Sequence, residues 1–280
     1  MICPCCSGAS FTFSFRKNSC DLFQCDSCRL IMVWPTPQVV EIYSEKYFKG
    51  GHGGVGYVDY DQDKRAMDAT FVAFLERIER RTPSKGKLLD VGAATGYLLD
   101  LARKRGWDPA GVEVSEWAAS EARRKGLDVF TGDLAKCPFK SESFSAVTLF
   151  DVFEHATDPR GMLREAHRLL ADGGLAAINT PDTSSVVARL LGRYWHLFTP
   201  PEHLFYFNVR NLSLLLRDTG FEVVRIERIG KSFTLQYVLQ FLGVPSGILA
   251  GSRLGRLSLP INLRDNMFIL AQKAGMVGRS

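Results

Sequence analysis

Three groups of residues stand out by type and spacing. "LLDVGAATGYLLDL", residues 88–101, is an apolar run holding one acid, Asp90, followed by a turn of small residues (Gly92, Ala93, Ala94, Gly96) that opens into a helical pattern. "CPCC" at 3–6 and "CDSC" at 25–28 place two C-x2-C knuckles either side of an eighteen-residue gap. "FDVFEH" at 150–155 and "PPEHLFYF" at 200–207 each bring a carboxylate next to a histidine.

The small side chains of the first group let the backbone approach a ligand closely. Asp90 selects the ligand. A carboxylate at the tip of the strand repels a pyrophosphate and holds an amino group. This argues against a dinucleotide, whose G-x-G-x-x-G fingerprint fails anyway because Ala94 stands at the second glycine. It argues for S-adenosylmethionine, which carries an ammonium, a sulfonium and no phosphate.

The cysteines read as a metal site. Cys3, Cys6, Cys25 and Cys28 form two knuckles with equal spacers, which suits tetrahedral zinc at the base of a ribbon hairpin. "FTFSFRKNSCDLFQC" between them alternates apolar and polar residues, as a half-buried strand pair does. So small a unit needs the metal to fold. A four-thiolate site has no open position, so the zinc is expected to be structural. Cys5 and Cys20 are left over; ordinary thiols, an iron site or a redox dithiol are the alternatives.

At 280 residues and 46% hydrophobic content the chain can bury a full core. Thirty-five Lys and Arg against thirty Asp and Glu give a charge of +5, spread along the chain rather than gathered in a stripe; nucleic acid is therefore not expected as a partner. There is no apolar leader before Cys3 and no run of about 20 apolar residues, so no membrane span and a cytoplasmic location are expected. There the cysteines should be reduced.

The elements that must position these residues alternate. "KLLDVG" reads as a strand, "YLLDLARKRG" as a helix, "DPAGVEVS" as a strand, "EWAASEARRKG" as a helix, and "DVFTGD" as a strand. A buried strand in "FSAVTLFDVFEH" follows, then a helix over "DPRGMLREAHRLLADGG" opened by Asp158 and Pro159, and a strand in "LAAINTP". Alternation of this kind predicts an α/β fold, a Rossmann-like, mostly parallel sheet with helices on both faces. A helix near 209–219 and strands "FEVVRIERI" and "NMFILAQK" complete seven strands. We divide the chain into a zinc ribbon at 1–34, a connector at 35–84 with a short helix in "VVEIYSEKYF", the glycine-rich "KGGHGGVGY" and a helix over 64–81, and a catalytic domain at 85–280. Acceptor-side insertions lie at 182–208 and 231–265; "SFTLQYVLQFLGVPSGILAGSRLGRL" within the second is apolar and reads as helical.

Glu113, ending the second strand with Val114 beside it, could accept hydrogen bonds from ribose hydroxyls. Asp133 could meet the adenine amino group with Leu134 against the ring. With these, residues 85–182 resemble a class I S-adenosylmethionine-dependent methyltransferase through "LLDVGAATG", "GVEVS", "GDL" and "FDVFEHATDP…LLADGGLAAINTPD". Ala94 departs from the family's usual glycine. The whole chain resembles members with an N-terminal zinc ribbon, common in glycan and natural-product pathways, through "CPCC…CDSCRLIMVWPTP", "YSEKYF" and "PPEHLFYF". Sugar C-methyltransferases of that group carry a further C-terminal domain, which this chain does not match.

That resemblance implies a methyl transfer to a small-molecule or saccharide acceptor, lipid-linked or nucleotide-linked sugars among them, most simply at a hydroxyl. It also implies His203 as general base, assisted by Glu202, with His155 beside them and Asp151 on the cofactor side. Small-RNA methyltransferases place a divalent ion on E-x-x-E-H with a distant histidine; Asp151, Glu154, His155 and His203 are the nearest equivalent here. The preferred reading is that Glu154 and His155 cap the turn and shape the methionine pocket. Tyr57, Tyr60, Trp195, Phe198, Phe205 and Tyr206 could line an acceptor pocket, though aromatics at such a seam between loop and core more often serve packing. An RNA acceptor and a non-enzymatic cofactor-binding adaptor are the alternative functions.

Overall fold

The computed structural model describes residues 1–37, 67–82, 84–234 and 258–275. Seven strands build the main sheet: β4 (Lys87–Val91), β5 (Asp108–Glu113), β6 (Asp128–Thr131), β7 (Phe144–Phe150), β8 (Leu170–Pro181), β10 (Phe221–Thr234) and β11 (Ser258–Lys273). Their order is β10-β11-β8-β7-β4-β5-β6, parallel from β8 to β6, with β11 antiparallel to both its neighbours. This is the expected Rossmann-like α/β sheet. Strand order reverses at β4, which lies between β7 and β5, and a crevice opens at such a point beyond the strands' carboxyl ends.

The inner strands are buried because helices cover both faces. Leu89, Val91, Val147, Leu149 and Ile178 lie in one core cluster and Leu88, Ala146 and Ala177 in another. Helix α1 (Asp68–Glu79) packs Phe71, Phe74, Leu75 and Ile78 into the second cluster, as the periodicity of that stretch predicts. Helix α2 (Tyr97–Lys104) follows β4, and α3 (Glu116–Arg124) follows β5, with Ser115 capping it by accepting from Ala118 N. Helix α4 (Pro159–Leu169) is capped by Asp158, which accepts from Gly161 N, with proline in its first turn.

That helix ends earlier than the sequence reading has it. Leu170 turns extended, at ψ 134°, and begins β8, so "LADGG" is strand with an irregularity rather than helix. Gly173 takes φ +72°, and pairing resumes at Leu175 opposite Ala146. Sheet pairing overrides the helical pattern here. The expected helix in "VVEIYSEKYF", the loop "KGGHGGVGY", Tyr57, Tyr60 and residues 235–257 lie outside the described residues, and 232–234, expected to be helical, instead close β10.

A second sheet has four strands in the order β1-β2-β3-β9: β1 (Phe11–Lys17), β2 (Cys20–Cys25), β3 (Ile31–Val33) and β9 (Phe205–Tyr206). The N-terminal hairpin thus shares a sheet with the insertion at 182–208, through the pairs Ile31↔Tyr206 and Met32↔Phe205. Between β8 and β9 runs the short helix α5 (Val186–Leu191); α6 (Val209–Asp218) follows β9, opened by a reciprocal Asn208–Asn211 capping box. Among the described residues no helix is long and apolar enough to cross a membrane.

Candidate functional site

The turn after β4 stands at the reversal point. Gly92 takes φ +76° and Gly96 φ +80°, both in the left-handed region that glycine enters without strain. A Cβ at Gly92 would come within 2.8 Å of Val152, so this turn packs directly on the segment leading from β7 to Glu154 and His155. A Cβ at Gly96 would strike Leu127. Ala94 also has a positive φ, +47°, and its N–H donates to Glu113 Oε2 at 2.8 Å.

Asp90 is 5% exposed, and Thr148 on β7 donates its hydroxyl to Asp90 Oδ1 at 2.6 Å. Asp151, just beyond β7, also has positive φ (+54°), and Asn179 Nδ2 donates to its Oδ1 at 2.6 Å. Asn179 Oδ1 is buried with no hydrogen-bond partner among the described residues. The carboxyl edge of β4, β7 and β8 therefore carries two carboxylates and an unmatched acceptor. A cationic, phosphate-free ligand such as S-adenosylmethionine fits that set, because its ammonium can donate to Asn179 Oδ1 and is attracted by the two carboxylates.

On the other side of β4, Glu113 is buried and holds two backbone groups, Ala94 N and Ser115 N, each at 2.8 Å. Burial pushes its carboxyl above the ordinary glutamate value, against the pull of those hydrogen bonds. Each oxygen keeps a second lone pair, so ribose hydroxyls could be accepted beside the loop amides. Val114 next to it is 56% exposed, an apolar side chain open to a ligand. Asp133 is exposed and caps a short 3-10 turn by accepting from Ala135 N; Leu134 in that turn is packed into the main core cluster.

The histidines converge from distant parts of the chain. His155 Nδ1 lies 2.8 Å from the Glu202 carbonyl and His203 Nδ1 3.0 Å from the Leu197 carbonyl. A carbonyl only accepts, so both rings carry their proton on Nδ1 and their lone pair on Nε2 when neutral. The two rings stack edge to face with centroids 4.7 Å apart. His203 Nε2 faces Glu154 Oε1 at 4.0 Å, and Glu154, 2% exposed, takes the Thr180 hydroxyl on its other oxygen at 2.8 Å.

The structure sets a second carboxylate against His203. Glu202 gives its carbonyl to His155, and burial raises its carboxyl against the opposing charge of that imidazole. The carboxylate opposite His203 is Glu154. The set that could hold a divalent ion is likewise Glu154, His155 and His203, with ligand atoms within 4.8 Å of one another; Asp151 stays with Asn179.

Of the aromatic side chains weighed between an acceptor pocket and packing, the described ones are core. Trp195, Phe198 and Tyr206 are buried in one cluster with Leu22, Ile31 and Val33 of the hairpin, and Phe205 lies in the main one. Trp195 Nε1 donates to Asp265 Oδ2 at 3.0 Å. Thr148, Thr180, Asn179 and Asp265 carry no signal in the sequence; each sits in an apolar or irregular stretch and matters only through a neighbouring strand.

At the N-terminus Cys3, Cys6, Cys25 and Cys28 bring their sulfurs within 4.8 Å of one another. Cys3 and Cys28 are 3.4 Å apart and Cys6 and Cys25 3.6 Å. A tetrahedral zinc with bonds of about 2.3 Å has sulfur–sulfur edges of about 3.8 Å, so the four thiols are set at close to the right size. Cys5 is buried against Cys3 and Cys28, whose thiols it contacts, and lies outside the four-sulfur set.

Comparison with known proteins agrees with this fold. A family model described as a methyltransferase domain matches residues 62–226, more than half of the chain. A ubiquinone biosynthesis O-methyltransferase from Methylococcus capsulatus is 27% identical over 186 residues, 61% of this chain and 78% of that protein. Among solved structures, a putative methyltransferase from Bacillus halodurans aligns with a TM-score of 0.57 at 16% identity, over 74% of this chain and all of that one. Magnesium protoporphyrin IX methyltransferase from Synechocystis, solved with bound SAH, aligns with a TM-score of 0.52 at 16% identity, over 84% and 92% of the two chains. The chain belongs to the methyltransferase domain family and is a class I S-adenosylmethionine-dependent methyltransferase.

Proposed function

We propose that this enzyme methylates a hydroxyl of a small-molecule acceptor, a saccharide or a phenol-like compound, with His203 as general base and Glu154 as its counter-charge. The observation that carries this reading is the His203–Glu154 pair at 4.0 Å, on a segment that abuts the cofactor turn through Val152 and Gly92. The O-methyltransferase named among the relatives favours oxygen as the acceptor atom.

Bound S-adenosylmethionine supplies an activated methyl group on sulfonium. Asp90 and Asp151 would hold its amino end, Gly92, Ala93, Ala94 and Gly96 would give it backbone room, and Glu113, Val114, Asp133 and Leu134 would receive its nucleoside. The Leu197 carbonyl keeps the His203 proton on Nδ1, so Nε2 can take the acceptor's proton. Glu154, buried and hydrogen-bonded by Thr180, would then stabilise the imidazolium. His155, oriented by the Glu202 carbonyl, would pack against the His203 ring and fix its plane. Because the sulfonium is already reactive, alignment contributes more than acid–base chemistry.

Cys3, Cys6, Cys25 and Cys28 would hold one structural zinc, supported by the sulfur spacing. The test of the whole reading is transfer of labelled methyl to a panel of sugars and phenols. Product with wild type and none with His203→Ala supports it; equal product from both removes His203 as base.

A further inference from the structure

We infer that Asn18, at the tip of the N-terminal hairpin, is a positioning residue for His203. The inference rests on the reading of His203 as the base and concerns how the chain aims it. Asn18 and Ser19 take φ +47° and +62° between β1 and β2, the two-residue left-handed turn that matches strand twist. Asparagine tolerates that conformation, and its side chain points away from its own hairpin. Asn18 Nδ2 donates to the Pro200 carbonyl at 2.8 Å.

The same hairpin grips the same segment twice more. Lys17 Nζ donates to the Trp195 carbonyl at 3.2 Å, and Phe15 packs edge to face on Phe198 with centroids 4.9 Å apart. On the far side of His203, Val33 N donates to the Leu204 carbonyl, and β3 pairs with β9. His203 therefore hangs between two attachments to the N-terminal strands. Its orienting acceptor, the Leu197 carbonyl, belongs to the stretch that Lys17 and Asn18 hold from either end, and its own N–H donates to Thr199 O. A shift of the hairpin tip moves that carbonyl, and with it the nitrogen that carries the ring proton.

None of these residues lies in the cofactor turn, so the effect should be confined to the histidine. A cap or turn role alone would change stability and leave the imidazole unaltered. The geometry also explains why the hairpin is built onto the insertion rather than left as a separate knob: a base on a loop needs a rigid support.

The test is nuclear magnetic resonance of the histidine side chains in full-length, 15N-histidine-labelled protein, with the His203 signals assigned by their loss in His203→Ala. Asn18→Gly keeps the left-handed turn and removes the donor; Asn18→Asp keeps the shape and sets a carboxylate against the Pro200 carbonyl. We expect His203 signals to shift and the excess of the Nδ1–H tautomer to fall, more for Asp than for Gly. Affinity for adenosylhomocysteine, by calorimetry, should stay within about twofold of wild type. His203 signals that superimpose on wild type in both variants overturn the inference. Should either variant fail to fold by circular dichroism, Lys17→Met tests the same segment through Trp195, with the same two outcomes. The readout does not depend on methyl transfer, so loss of the base reading and loss of the positioning role are separate results.

Discussion

Glu154 Oε1 stands 4.0 Å from His203 Nε2, although the two residues belong to segments on either side of β8. The pair is closed by backbone contacts at both ends: Leu204 N donates to the Glu154 carbonyl at 2.9 Å, and the Leu197 carbonyl fixes the ring. A charge and a base so placed can take a proton and hold the resulting cation in a water-poor setting. Replacing His203 by Ala should lower turnover about a hundredfold, the low end of what general bases contribute, while adenosylhomocysteine affinity changes little. Initial rates with labelled cofactor, alongside calorimetry, check both halves.

Asp90 is expected to decide cofactor binding. Its carboxylate is buried, oriented by Thr148, and shares the edge with Asp151. Asp90→Ala should weaken adenosylhomocysteine binding by about 10- to 100-fold, the size of a charge-assisted hydrogen bond, with the far-ultraviolet spectrum unchanged. Unchanged affinity in calorimetry would sink the assignment of this edge to the ligand's amino group.

Glu113 gives a pH dependence with a definite sign. Its carboxyl is raised in the folded chain by burial, so the folded state holds the proton more tightly than the unfolded one. Stability from this group is full below the ordinary glutamate value of 4.5 and declines as pH rises through the raised one. Glu113→Gln removes that slope. The difference in melting temperature, variant minus wild type and without cofactor, should therefore become more positive from about pH 4 upward.

Ala94 carries a conformation that glycine would adopt more easily. A non-glycine residue in the left-handed region costs about 1–2 kcal/mol, offset by about 0.5–1 kcal/mol of extra chain entropy when glycine is introduced. Ala94→Gly should raise the melting temperature by about 1–3 °C. Ala94→Val should lower it, because a β-branched side chain resists positive φ more strongly. Calorimetric melts of the two variants must move in opposite directions.

Metal content separates the seven cysteines. We expect one zinc per chain, lost with Cys25→Ser and kept with Cys20→Ser, Cys137→Ser and Cys5→Ser, as elemental analysis can show. Chelation should also loosen the knuckles at 3–6 and 25–28, since the metal links the two ends of the hairpin. A Cys5→Ser protein without zinc would place Cys5 among the ligands.

The sequence by itself determined whatever depends on near neighbours and on the alternation of strands and helices along the chain. Two equal knuckles define the four sulfurs, an acid at a strand tip before a small-residue turn defines the edge we propose for the cofactor, and alternating strands and helices define the sheet. These follow from local spacing, which a helix or strand translates directly into geometry. Tertiary structure decided the pairings between distant segments. The sequence offers His203 only its neighbour Glu202, whereas the folded chain sets the Glu202 carbonyl on His155 and brings Glu154 to His203 from the end of β7. Trp195 and Phe198 could be read from sequence as pocket or packing, and the hairpin covers them and makes them core. Both outcomes rest on β9 pairing with β3, two residues long and invisible in a pattern of apolar positions, because contacts between segments so far apart are set by packing rather than by period.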